Sequence, residues 1–139
     1  DLLNGVEFTI YKLANIEQTV DADGKVALTY KSLTNKVTDK DFNDATVDTN
    51  GRLDSNDLYN KISGKLDATD LNALETKKQT TGEGGNTKGT VAFNGLELGV
   101  YMVAETKAPD QILTKSANLL FLFQWLIKIP TMSMCGIMM

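Results

Sequence analysis

Gly99-Val100-Tyr101-Met102-Val103-Ala104-Glu105-Thr106-Lys107-Ala108-Pro109 is the stretch that decides the fold. It is rich in β-branched and aromatic residues, as strands are. Successive side chains of a strand point to opposite faces, so Tyr101, Val103 and Glu105 share one face and Val100, Met102 and Ala104 the other. If the Tyr101 and Val103 face lies against the core, a carboxyl group goes in with it. Burial favours the protonated form of such a group. The other reading is a strand-end Glu exposed to water.

Working outward, Thr90-Val91-Ala92-Phe93 reads as a second strand, with Asn94-Gly95 in the short connection. That combination predicts a hairpin. Val6-Glu7-Phe8-Thr9-Ile10-Tyr11-Lys12-Leu13 alternates apolar and polar residues behind the turn signal Asn4-Gly5, as a half-buried strand does. Asp21-Ala22-Asp23-Gly24 is a turn leading into Lys25–Tyr30, which fits either a strand or a short helix. The Gly-rich run 80–89 lacks the Gly-Lys-Ser/Thr ending of a phosphate-binding loop, so it reads as a surface loop.

The 139 residues suit one domain with a tail. There is no His, which excludes His-based triads and His-containing zinc sites. A net charge of −4 argues against nucleic acid, whose binding needs a basic stripe. No cofactor is indicated.

Residues 31–80 are polar and resemble an insertion. Within them Gly51-Arg52-Leu53-Asp54-Ser55-Asn56-Asp57-Leu58 recurs as Gly64-Lys65-Leu66-Asp67-Ala68-Thr69-Asp70-Leu71. Asp48, Asn50 and Asp57 fall on the ligand spacing of a calcium loop, but Thr46 stands where the first carboxylate should be. The upstream positions of the second copy, Tyr59, Lys61 and Ser63, offer no carboxylate. The preferred reading makes Asp54 and Asp67 N-caps of short helices, with Asp57 and Asp70 near their positive ends.

The 99–109 stretch resembles the E-box of sortase-assembled pilins and Cna-B-type adhesin domains of Gram-positive bacteria. Leu3-Asn4-Gly5-Val6-Glu7-Phe8-Thr9-Ile10-Tyr11-Lys12 is similar to the strand after the N-terminal strand of that family. Gly89-Thr90-Val91-Ala92-Phe93-Asn94-Gly95-Leu96 is similar to the strand before the E-box. The order looks most like the N-terminal domain of a major shaft pilin. The resemblance implies a mainly β, immunoglobulin-like (Cna-B-like) sandwich with a partly helical insertion at about 31–80. It also implies a structural role, with an extracellular, wall-attached pilus as the setting and other pilin subunits and a class C sortase as partners. In such domains a Lys on the first strand attacks an Asn side chain on the last, ammonia leaves, and an isopeptide bond remains. Glu105 matches the family's acid for this step, which is self-crosslinking rather than enzymatic turnover. The alternative within the resemblance is a surface adhesin domain binding the host matrix or a host glycoprotein.

The chain departs from that pattern at both ends. The Lys-bearing strand of relatives lies upstream of the Leu-Asn-Gly turn, and Lys12 does not match the reactive Lys. No Tyr-Pro-Lys-Asn, Leu-Pro-x-Thr-Gly or signal peptide occurs. Residues 1–117 form the expected pilin domain, with its first strand absent. Residues 118–139 differ in composition: they hold Trp125, Cys135, four of the five Met and a single charge, Lys128. Back-translation of Phe121 to Met139, read from each third base, permits S-L-P-M-A-N-K-D-T-N-N-E-Y-V-W-N-Y-D, which resembles the continuation of the family. The codons for Met132 to Gly136 readily give E-Y-V-W. A frameshift near residues 118–121 is therefore expected. Two competing readings are a membrane segment over 119–139, opposed by Lys128 and Pro130, and a strand over 119–123 that completes the sandwich.

Overall fold

The computed structural model describes residues 4–49 and 51–107, and the backbone of two further strands at 120–124 and 131–135. The first strand, β1 (Glu7–Val20), is 14 residues long and outruns the predicted segment. It turns at 21–25, where the Asp21 carboxylate accepts from the Asp23 and Lys25 N–H groups at 2.9 and 2.8 Å. It then pairs antiparallel with β2 (Val26–Ser32), from Val20↔Val26 to Ala14↔Ser32. The ambiguous Lys25–Tyr30 segment is thus a strand: Leu28 and Tyr30 are buried while Thr29 and Lys31 are exposed.

Three short helices follow, α1 (Asp39–Asn43), α2 (Ser55–Ile62) and α3 (Ala68–Leu74). The repeat noted in the sequence is a pair of helix starts. Asp54 accepts from the Asp57 N–H at 2.8 Å, and Asp67 from the Asp70 N–H at 2.8 Å. In the second copy Asp70 returns the bond, accepting from the Asp67 N–H at 2.9 Å to close a capping box. The Asn43 side chain docks α1 on β2 by imitating a strand, accepting from Tyr30 N–H and donating to Tyr30 C=O, both at 3.1 Å.

The insertion ends in β3 (Glu75–Thr80), which pairs with the first half of β1, Glu7↔Thr80 through Tyr11↔Glu75. On its other edge β1 pairs with β5 (Gly99–Lys107), and β5 pairs in turn with β6 (Leu120–Gln124). The predicted hairpin does not form. β4 (Thr90–Asn94) pairs instead with β7 (Thr131–Cys135) in a separate two-stranded sheet. Both edges of β5 are already occupied, and Leu96 in the connection is buried, so the chain crosses between layers instead of folding back beside β4.

The β1–β5 pair runs between two cores. One contains Val6, which lies just before β1, Phe8 and Ile10 of β1, Val91 and Phe93 of β4, Leu96, and Tyr101 and Val103 of β5. The other joins Tyr11, Leu13, Val100 and Met102 to Tyr30 and to Phe42, Leu58 and Ile62 of the helices. A register shift between Lys12 and Ala14 changes which residues face inward. As a result Leu13, Ala14 and Ile16 all enter the second core. The architecture is therefore mixed β and α. The segment predicted as an insertion supplies Val37, Phe42, Ala45, Leu53, Leu58 and Ile62 to the second core, and Phe42 and Leu58, both fully buried, contribute about 1.5–3 kcal/mol each.

Candidate functional site

Glu105 lies near the C-terminal end of β5. The predicted alternation holds: Tyr101 and Val103 enter the core beneath β4, and Val100 and Met102 enter the helical one. Two residues beyond Val103, Glu105 stands opposite Phe8 in the β1–β5 register, on the face that Phe8 and Val103 commit to the core beneath β4. The residue is half-buried as a whole, but its Oε1 is enclosed and has no hydrogen-bond partner among the described residues. A buried polar atom without a partner is uncommon in folded proteins and calls for an explanation.

The lysines near β5 do not supply one. Lys12 stands opposite Tyr101, four positions back along β5, which is about 13 Å at strand spacing. Its side chain is 15% exposed, and its ammonium pairs with Glu97 at 3.1 Å. Lys107 pairs with Glu7 at 4.0 Å. The motif residues Ala108 and Pro109 lie outside the described residues.

Behind Glu105 is a polar cluster that the alternation pattern does not reveal. Thr9 is a polar position in the alternation of β1, yet it is fully buried. Its hydroxyl lies 2.8 Å from that of Thr106, which in turn donates to Glu7 Oε1 at 2.7 Å. On the same strand, Tyr101 OH donates to the Glu97 carbonyl at 2.7 Å, and burial pushes its phenol pKa up.

The other candidate residues serve local structure. Asp48 accepts from the Arg52 N–H at 2.8 Å and lies 3.6 Å from its guanidinium, while Asp57 pairs with Lys61 at 3.7 Å. Asn50 lies outside the described residues. The Thr46 hydroxyl donates to the Asn43 carbonyl at 2.9 Å. No group of three or more potential metal ligands converges among the described residues. None of the described helices is long and apolar enough to cross a membrane. The competing reading of 119–123 as a strand overlaps β6, while Trp125 and Lys128 lie outside the described residues.

The family model for the N-terminal domain of Gram-positive pilin subunit D1 matches residues 1–123, and the chain belongs to that family. It is thus a domain of a structural pilus (fimbrial) subunit of the Gram-positive cell surface, not an enzyme. The match runs past residue 117 into β6. No curated protein and no solved structure matches the chain significantly.

Proposed function

We propose that this is the immunoglobulin-like N-terminal domain of a shaft pilin. A class C sortase joins such subunits covalently outside the membrane, and the finished fibre is attached to peptidoglycan. Glu105 is the acid for an intramolecular isopeptide bond. A neutral Lys amine attacks the Asn side-chain carbonyl carbon; the new C–N bond forms as the old one breaks, and the amide nitrogen leaves as ammonia. A protonated Glu105 polarises the carbonyl by hydrogen bonding and carries the proton from the attacking to the departing nitrogen. Tension along the fibre then passes through a covalent bridge between the first and last strands.

The enclosed Oε1 of Glu105, without a hydrogen-bond partner among the described residues, is the observation that carries this function. It sits at the position matching the family's acid, on the Phe8 and Val103 side of β5. With no Lys or Asn donor to Oε1 among the described residues, we propose that this chain as it stands does not close the bond.

Residues 118–139 are proposed to be the pilin continuation read in a shifted frame. One finding supports this: the family match stops at residue 123, close to where the composition changes. The experiment is intact-mass measurement of the chain and of a version with the reading frame restored and the upstream strand of its own gene included. The second should lose about 17 Da, one ammonia, and Glu105→Ala should retain it. If DNA beyond the end lacks Tyr-Pro-Lys codons in the alternate frame, the shaft assignment gives way to a surface adhesin domain.

A further inference from the structure

The register between β1 and β5 slips next to Glu105. Phe8 faces Glu105, but the next pair is Glu7 with Lys107, so Thr106 is an extra residue and two residues of β5 oppose one of β1. This is a β-bulge, a device that re-aims side chains at strand ends. Its consequence here is electrostatic. In a regular strand Lys107, two positions after Glu105, would project from the same face and bring an ammonium beside the carboxyl. The bulge sends Lys107 to the reverse face, where it joins Thr106 around the Glu7 carboxylate, Thr106 Oγ1 at 2.7 Å and Lys107 Nζ at 4.0 Å. The fully buried Thr9 backs the arrangement, its hydroxyl 2.8 Å from that of Thr106.

We propose that Thr9, Thr106 and Glu7 are positioning residues for Glu105: their hydroxyl–carboxylate clasp fixes the bulge that keeps Lys107 off the acid's face. The proposal rests on the reading of Glu105 as the working acid. An opposite charge within about 4–6 Å favours the ionised form of a carboxyl, and an ionised Glu105 cannot donate the hydrogen bond that the crosslinking step needs. Glu7 serves as the decoy carboxylate that holds the cation elsewhere.

Zero-length carbodiimide crosslinking of the folded chain tests this, because the reagent joins Lys107 to whichever carboxylate lies beside it. In the unsubstituted chain the product should join Lys107 to Glu7, linking two distant peptides. In Thr106→Val, which keeps the β-branched shape and removes the hydroxyl, the link should move to Glu105 within one peptide, with the ratio of the two products changing about tenfold as the bulge opens. Thr106→Ser, which restores the hydroxyl, should restore the Glu7 product. If Thr106→Val does not fold, Thr9→Val gives the same readout. A Glu7 product that persists in the hydroxyl-deleted variant, or a Glu105 product in Thr106→Ser, overturns the proposal. Separately, free amine coupled to Glu105 in the unsubstituted chain as fast as to the exposed Glu97 would show that the acid is not enclosed; that result removes the functional reading itself and not merely the clasp.

Discussion

Replacing Glu105 by Leu should make the domain more stable. Its Oε1 is buried without a hydrogen bond among the described residues, and leaving a buried polar group unsatisfied costs about 1–3 kcal/mol. Leu is close in volume and would lie beside Phe8 and Val103, already members of an apolar core. Because the rest of the residue is only half-buried, the lower part of that range applies, and a gain of about 1–2 kcal/mol is expected. For a chain of this size each kcal/mol raises Tm by roughly 3–4 °C. Urea unfolding at neutral pH is the assay: the midpoint should rise with the slope unchanged, since the surface exposed on unfolding stays the same. Leu at the exposed Glu17 is the control and should move stability by no more than about 0.5 kcal/mol. Glu105→Gln, which keeps a polar group at the site, should gain less than Glu105→Leu. A Glu105→Leu variant equal to or less stable than the unsubstituted domain would refute the reasoning, for the carboxyl would then be satisfied in solution.

Further outcomes follow from other parts of the molecule. Gly51 has φ of +80°, and a Cβ there would meet the Leu28 carbonyl at 2.6 Å. Gly51→Ala should therefore cost about 1–2 kcal/mol for the left-handed backbone alone, with the clash added, as read from urea midpoints. Tyr30→Phe removes the 2.6 Å bond from its phenol to the Gly51 carbonyl and should destabilise by about 1–2 kcal/mol. Asp67→Ala opens the α3 capping box and should cost about 1 kcal/mol by thermal melting. Two carboxyls predict a loss of stability in acid. The Thr38 N–H, then Lys65, hold Asp41 below 3.8; the Asp67 N–H, then Lys36, do the same for Asp70. Both folded values are depressed, so the native state binds fewer protons than the unfolded chain in that range. Their contribution is full above the ordinary carboxylate range and is lost as pH falls through the folded values. Melting temperature should drop below about pH 4, and Asp41→Asn with Asp70→Asn should flatten that limb.

The parts of the fold legible in the sequence are those fixed by local rules. Alternation alone assigned Val100 and Met102 to one side of β5 and Tyr101 and Val103 to the other, because a period of two leaves no choice. Asp54 and Asp67 were recognisable as caps because a short acceptor before a helix satisfies N–H groups that would otherwise lack partners. The partner of β4 was not legible. Asn94-Gly95 signals a turn but carries no information on which layer the next strand enters, and the burial of Leu96 is a tertiary outcome. The second core was hidden because Val37, Phe42, Leu53, Leu58 and Ile62 are scattered through polar sequence with no sustained period. At the site, Glu105 could be found from the sequence, whereas Thr9 could not: alternation marks it polar, and only the bulge beside Glu105 shows that its hydroxyl has a partner in Thr106.

The central claim is that Glu105 acts as an acid once a Lys and an Asn are brought to it. Intact mass of the domain expressed with the flanking sequence of its own gene, frame restored, tests this most directly. The account predicts a mass about 17 Da below that of the sequence, corresponding to one ammonia, and the full sequence mass for Glu105→Ala. A restored domain at its full sequence mass, or a Glu105→Ala variant that still loses ammonia, would contradict it.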